Sequence, residues 1–378
     1  MKVILVFVVQ VSVLTPCFPR YKGDFHGSFV KSFCDKIVKY IELEVIAPRT
    51  RTLKPMALDY PIIRFPYMPY QRMEYIAEAT MKNASVKILS ALPMYLASAY
   101  IHLVSSRSDL VHTNLAIPLG FMAAYNPKRI PQIITCHGSD ITYPIEKPIY
   151  RPVLKQVLKK ANRIVTVSDY IRKYAIRMGA TPWKTSTIYL GVDVDKFHPN
   201  KRKKEIPTIG TLGRIIPEKS VDDLLYAAKC ISNQIDFKLK IGGDGSDLLR
   251  LKNLAKKMNL NVEFTSRVTD PVSFHQSLDV FVLASTREGL SISLQEAMSC
   301  GVIPVTVNDC GCTEIICDGF NGFLFNSRDR RNLADKLLEA INSQRISHSS
   351  RETIVKRFNI DDATKKYLEL YRELGILF

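Results

Sequence analysis

The 378-residue sequence contains no stretch of about 18 uninterrupted apolar residues, which argues against a membrane-spanning helix. Its eight cysteines, at positions 17, 34, 136, 230, 300, 310, 312 and 317, include no Cys-x-x-Cys pair, and no His-rich spacing accompanies them. Zinc ligation is therefore not indicated, and free thiols in a reducing, cytoplasmic setting are the simplest expectation. There is no internal repeat and no low-complexity tract, so an array or a disordered linker protein is excluded. A zinc knuckle, an RNP-like aromatic stretch and a helix-turn-helix pattern are all missing, which argues against nucleic-acid binding. Nor does an Asp-x-Asp element stand at a strand end in the second half. The Asp-Val-Asp run from Asp193 to Asp195 lies in a connecting stretch instead, so no metal and no cofactor are expected.

What is present describes a globular chain. Hydrophobic residues make up 46% and charged residues 24%, the proportions of a water-exposed folded protein. The length suits two domains of about 150–200 residues each. The N-terminal run MKVILVFVVQVSVLT has signal-peptide features. Its Val/Ile content and the turn-forming PCFPRYKGD after it favour a first buried strand, though the run is long for one. Asn83 begins an Asn-Ala-Ser glycosylation triplet that the free cysteines argue against using. The net charge of +17 is uneven: residues 1–200 hold 27 Lys and Arg against 13 Asp and Glu, and residues 201–378 hold 26 against 23. The basic half suits an anionic membrane surface, a nucleic acid or an anionic substrate. Its most basic tract spans 146–184, where Lys155, Lys159 and Arg163 recur at i+4.

Strand-like runs at 131–136, 163–168, 207–213, 237–242, 261–266, 279–285 and 302–307 carry consecutive apolar residues, as strands of a parallel sheet buried on both faces do. Helical patterns at 219–233, 246–259, 291–300 and 329–342 lie between them. This βαβα rhythm predicts doubly wound α/β layers. A polar break at about 195–207 divides the chain into an N-terminal domain, 1–198, and a second domain, 199–360. An amphipathic segment, 361–378, follows as a C-terminal helix that could cross either domain, and packing back on the N-terminal domain is the expectation; Ala363, Tyr367, Leu370 and Leu374 mark its apolar face.

Two glutamates draw attention. Glu288 follows the strand-like DVFVLAS, at the strand edge where open α/β sheets bind ligands. Glu296 stands eight residues later, about 12 Å away if the interval is helical. That is roughly the reach from the sugar to the ribose of a nucleotide diphosphate sugar. Gly289 permits close backbone approach, and the helix after it offers free N–H groups to phosphate. In GTLGRIIPEKS, Arg214 and Lys219 lie five apart across a glycine turn, a suitable clamp for a diphosphate. IGGDG, 241–245, is a second glycine turn after a strand and a weak signal alone.

These motifs together resemble the family 4 retaining glycosyltransferases. LGRIIPEKS is similar to that family's G-R-x4-K element, and EGLSISLQEAMSCGVIPV to its E-x7-E element. GCTEII and DGFNGFLF resemble the block after it. YLGVDVDKFHP resembles the interdomain stretch, TCHGSD the H-G-x-D loop, and PCFPRYKGDFHGSFV the first βα loop of one subgroup. The resemblance implies the GT-B fold, two Rossmann-like doubly wound domains facing across a cleft, with acceptor bound by the first and donor by the second. It implies that Arg214 and Lys219 bind the donor diphosphate at Gly213, that Glu288 binds the donor sugar, and that Glu296 binds the ribose. Gly289, Leu290 and Ser291 would contact sugar or phosphate through their backbone. His137 would project beside the sugar, with Gly23 and Gly27 bordering the same site. The implied reaction is metal-independent transfer, with retention, from a nucleotide sugar to a glycan or lipid-linked acceptor.

Three departures leave donor preference open. Leu290 and Ser291 replace a common Phe-Gly, Cys310-Gly311-Cys312 replaces a Gly-Gly, and Ser220 stands where Gly is commoner. Competing readings are an epimerase or phosphorylase on the same fold, a basic nucleic-acid binder and a catalytically silent scaffold. The joint presence of Arg214, Lys219, Glu288 and Glu296 speaks against the first and the last, and the missing nucleic-acid motifs speak against the second.

Overall fold

A computed structural model describes residues 10–67, 86–200, 205–285 and 288–378. Asn83 and the first nine residues of the N-terminal run lie outside the described residues. Contacts divide the chain into two compact units: residues 1–189 with 363–378, and residues 190–362.

The first unit is built on a parallel sheet of β1 (Gln10–Leu14), β2 (Glu42–Pro48), β3 (Ile62–Phe65), β4 (Leu110–Asn114), β5 (Gln132–Cys136), β6 (Arg163–Thr166) and β7 (Thr185–Thr187). Among the described residues the strand order is β3-β2-β1-β4-β5-β6-β7. Every residue of β4 and β5 is buried, because helices cover both faces of a parallel sheet and leave no polar side. The order reverses between β1 and β4, which pair directly, Val11 opposite Leu110. That junction opens a crevice at the carboxyl ends of the strands. The C-terminal helix Ile360–Glu373 supplies Tyr367, Leu368, Leu370 and Tyr371 to this unit's core. It is pinned by polar contacts as well. Buried His112 of β4 bonds the Tyr371 hydroxyl at 2.7 Å and the Thr135 hydroxyl at 2.8 Å, and Thr135 bonds Tyr367 at 3.0 Å.

The second unit holds β8 (Thr208–Leu212), β9 (Lys238–Gly242), β10 (Val262–Thr265), β11 (Val280–Leu283), β12 (Ile303–Val307) and β13 (Phe323–Phe325), in the order β10-β9-β8-β11-β12-β13 and all parallel. Its order reverses between β8 and β11, so the ligand-binding crevice of this unit is bordered by the segments leaving those two strands.

Candidate active site

The sequence elements singled out in the second half converge on that switch point. β8 runs into Gly213 and Arg214, and the short 3₁₀ turn Pro217–Lys219 follows. From β11 the chain reaches Glu288 and Gly289. Ser291 then caps the helix Ile292–Ser299 by accepting a bond from the Leu294 N–H at 3.2 Å. The Lys219 ammonium donates to the Glu288 carboxylate, joining the two segments. The Ser293 hydroxyl donates to the Leu212 carbonyl at 2.8 Å, tying the start of that helix to the end of β8. Arg214 is half-buried on the same turn. Two cations, one carboxylate and a helix N-terminus thus border one strand edge, a constellation suited to a diphosphate ester.

The helix begins only at Ile292, so the interval from Glu288 to Glu296 is not continuously helical and the 12 Å estimate does not describe it. Glu296 lies on the second turn, 19% exposed, with its Oε2 3.4 Å from Nε2 of His275. His275 itself carried no signal in the sequence. Leu290 is buried, so its contribution to a ligand is restricted to its backbone.

Glycines that read as weak signals form the support of this site. Gly243 has φ +125, and a Cβ there would overlap the Gly213 carbonyl; Gly245 has φ +158 and abuts the Ile215 carbonyl. The IGGDG turn therefore packs backbone to backbone against the turn carrying Arg214, which only glycine allows. A Cβ on Gly213, in contrast, would meet nothing within 4 Å. Gly311 plays the matching role under the other segment. Its N–H donates to the Glu288 carbonyl at 2.9 Å, and a Cβ on it would overlap the Gly289 carbonyl. Its neighbours Cys310 and Cys312 turn into the core. Contact with the Cys310 thiol, together with burial, pushes the Cys312 thiol well above the usual range. Cys312 therefore stays a thiol at ordinary pH, and both cysteines are buried packing groups. Ser220 has φ +47, left-handed backbone that a side chain adopts at a cost.

The predicted residues of the first unit gather at its own switch point. Gly27, φ +70, ends the loop after β1, and a Cβ there would press on the Cys17 carbonyl and the Phe18 Cα. Asp24 braces this loop by pairing with the Arg20 guanidinium at 2.6 Å. The Arg64 guanidinium, from β3, donates to the Pro19 carbonyl at 2.5 Å. Gly23 is exposed on the loop surface. His137 follows β5, its Nε2 2.9 Å from Oδ1 of Asn114 and its ring 4.7 Å from that of Phe29. Burial holds its imidazole well below the usual pKa, hence neutral near pH 7. Asp140 fixes the same turn by accepting from the N–H groups of Ala116 (2.8 Å), Gly138 (2.9 Å) and His137 (3.1 Å). Among the described residues no three His, Cys, Asp or Glu side chains group so as to ligate a metal ion.

Comparison with known proteins accords with this geometry. A model of the Glycosyltransferase Family 4 matches residues 29–196, and a model of the Glycosyl transferases group 1 matches residues 193–357. An uncharacterized glycosyltransferase of Methanocaldococcus jannaschii is 28% identical over 275 residues, 71% of this chain and 76% of that protein. A GDP-mannose-dependent alpha-(1-6)-phosphatidylinositol monomannoside mannosyltransferase of Mycobacterium tuberculosis is 30% identical over 238 residues, 55% of this chain and 61% of that one. Among solved structures, Anabaena HepE in complex with UDP and glucose superposes with a TM-score of 0.76 at 17% identity, covering 97% of this chain and 100% of its own.

Proposed function

The chain belongs to the group 1, family 4 glycosyltransferases, and from that premise we propose that it transfers a sugar with retention and without a metal ion, to a glycan or lipid-linked acceptor. That it is a glycosyltransferase using nucleotide sugars is the common ground of the relatives. The observation that carries the finer reading is the Arg214–Lys219 turn set against Glu288 at the β8/β11 switch point.

In this reading Arg214 and Lys219 neutralise the diphosphate as the bond to the anomeric carbon breaks. Fixed cations in a part-buried site stabilise that growing charge without solvent reorganisation, the role a divalent ion plays elsewhere. Glu288, released from Lys219 by the incoming diphosphate, accepts hydroxyls of the donor sugar, and Glu296 accepts those of the ribose. Neutral His137 is a hydrogen-bonding partner for a sugar hydroxyl, held in orientation by Asn114. The acceptor hydroxyl attacks the anomeric carbon on the face the diphosphate leaves, and its proton passes to the departing phosphate oxygen. Configuration is then retained without a protein nucleophile.

A lipid-linked acceptor is favoured by the basic tract of the first unit. The helix Arg151–Lys160 buries Leu154, Val157 and Leu158 and exposes Lys155, Lys159 and Lys160. Ile149, just before it, is 79% exposed, and Trp183 is 83% exposed. Arg163 is turned to Glu373 at 3.3 Å, so it does not extend the row of lysines as its spacing suggests. Exposed cations with nearby apolar side chains suit transient attachment to an anionic leaflet from the cytoplasmic side. The membrane relation is peripheral in this reading, since among the described residues no helix is long and apolar enough to cross one. The test is a panel of UDP-, GDP- and ADP-sugars with the product followed by proton NMR. Retained anomeric configuration and full activity in EDTA are expected; inversion, or loss of activity restored by Mg²⁺ or Mn²⁺, contradicts the mechanism.

A further inference from the structure

We propose that His275 is a positioning residue for nucleotide recognition, fixing the Glu296 carboxylate so that its second oxygen is presented to a vicinal diol. The proposal rests on the assignment of Glu296 to the ribose and adds to it a residue outside the motifs that suggested that assignment.

His275 sits on the short helix Pro271–Gln276, capped by Asp270, whose carboxylate accepts from the Ser273 N–H at 3.1 Å. Its side chain is fully buried. The rings of Phe281, Phe197 and Phe274 surround it, with centroids 5.6, 6.2 and 6.2 Å away. Nε2 lies 3.4 Å from Glu296 Oε2, and Nδ1 is buried without a partner among the described residues. A carboxylate only accepts, so the imidazole proton belongs on Nε2. Nε2 is thereby an N–H donor directed at Glu296, and the rings packed around the imidazole restrict its rotation.

A buried histidine in an aromatic cage is costly when one nitrogen is left unpaired. A leucine would fill the space without that cost, so stability alone does not account for it. Its polar contact within reach is the carboxylate of Glu296, which is 19% exposed and therefore open on its other side. A half-buried glutamate with neither oxygen held has more than one rotamer open to it. Holding one oxygen removes that freedom before ligand arrives and leaves Oε1 in a set position. Two adjacent hydroxyls need one carboxylate in one orientation, and preorganisation raises affinity by reducing the ordering that binding requires.

The test compares nucleotide sugars' common part with and without the diol. UDP, GDP, ADP and CDP are titrated by calorimetry, and the tightest is compared with its 2′,3′-dideoxy form. Wild type should favour the diol form by roughly tenfold or more, the loss expected when a charged acceptor goes unused. His275→Leu should bring this ratio toward one while leaving the affinity for the dideoxy form unchanged. His275→Gln, which keeps an N–H donor, should restore much of the ratio. Glu296→Ala should abolish it. If Glu296→Ala abolishes the ratio and His275→Leu preserves it, the positioning role is wrong and the ribose assignment stands. An equal weakening of both nucleotide forms in His275→Leu also overturns the role, since that is the behaviour of a purely structural residue. If Glu296→Ala leaves the ratio intact, or none of the four nucleotides binds wild type, the underlying assignment fails and takes this one with it. A measurement on unaltered protein guards against misfolding of the variants. Imidazole ¹⁵N NMR should show a proton on Nε2 of His275, and an Nε2 that carries none overturns the proposal.

Discussion

Lys219 and Glu288 are 69 residues apart in sequence and form an ion pair across the β8/β11 switch point, with side chains 24% and 13% exposed. The Lys219 charge is therefore paired with a carboxylate of its own site. In the proposed reading a diphosphate displaces Glu288 from Lys219 before it gains the full interaction, and the freed carboxylate then accepts from sugar hydroxyls.

It follows that Glu288→Gln should do two opposite things. Binding of the nucleoside diphosphate alone should tighten by roughly tenfold, since one competing charge near the phosphates is worth about 1–2 kcal/mol. Turnover of the donor should fall by at least as much, because the sugar loses its charged partner. Calorimetry and a transfer assay read the two effects separately. Weakened diphosphate binding in this variant would contradict the exchange.

The two glycines of the crossing turns should respond differently to alanine. Gly213→Ala adds a methyl into open space, so the folding stability should change by less than about 1 kcal/mol, while nucleotide affinity falls because the backbone no longer comes close to phosphate. Gly243→Ala places its methyl on the Gly213 carbonyl at φ +125 and should cost a few kcal/mol of stability. Thermal melts with and without nucleoside diphosphate distinguish these cases. An unimpaired nucleotide affinity in Gly213→Ala would remove that residue from the site.

His112 makes stability depend on pH. Burial, with a smaller contribution in the same direction from nearby His137, pushes its pKa down to about 3. The groups around it are the hydroxyls of Thr135, Tyr367 and Tyr371 and the ring of Phe33. In the unfolded chain the imidazole titrates near 6.5. Below that pH the unfolded state takes up a proton that the native state refuses, so stability falls as pH drops. The slope from this one group approaches about 1.4 kcal/mol per pH unit. Denaturant melts from pH 7 to 5 should show the decline, and His112→Asn should flatten it; the same slope in both proteins would contradict the assignment.

The basic helix should behave as an electrostatic dock. Vesicle flotation should increase with the fraction of anionic lipid and decrease with salt, each exposed cation contributing about 1 kcal/mol. Replacing Lys155, Lys159 and Lys160 by Glu should abolish it. Absence of binding to strongly anionic vesicles at low salt would assign the charge to an anionic acceptor in solution instead.

Much of the second unit was legible in the sequence because its information is local. Its five anticipated strands are present, as are the two anticipated at 131–136 and 163–168 in the first unit, since buried parallel strands are short apolar runs bounded by turns, and the Gly-Arg turn and the Ser291-capped helix are written in neighbouring residues. What was not legible depends on pairs far apart in the chain. The 241–245 turn is unremarkable until its glycines are seen against Gly213 and Ile215. His275 has no motif around it, and only folding sets it under Glu296. His112 and Tyr371, 259 residues apart, meet only because the C-terminal helix packs in the first unit's core. The helical spacing of 361–378 showed an apolar face expected to pack back on the N-terminal domain, but not which residues would meet it. The early part of the chain, with β2, β3 and β4, was missed because its strands are interrupted by charged and polar residues such as Glu44, His112 and Asn114, which are buried and internally bonded.

The central claim is that the turn carrying Arg214 and Lys219 binds and stabilises a leaving diphosphate. Its most direct measurement is donor turnover by Arg214→Ala and Lys219→Ala, with each protein's fold checked by circular dichroism and thermal melting. The account predicts folded variants whose turnover falls by two or more orders of magnitude, the cost of losing charge-assisted bonds worth a few kcal/mol in the transition state. Near-normal turnover in both folded variants would contradict it.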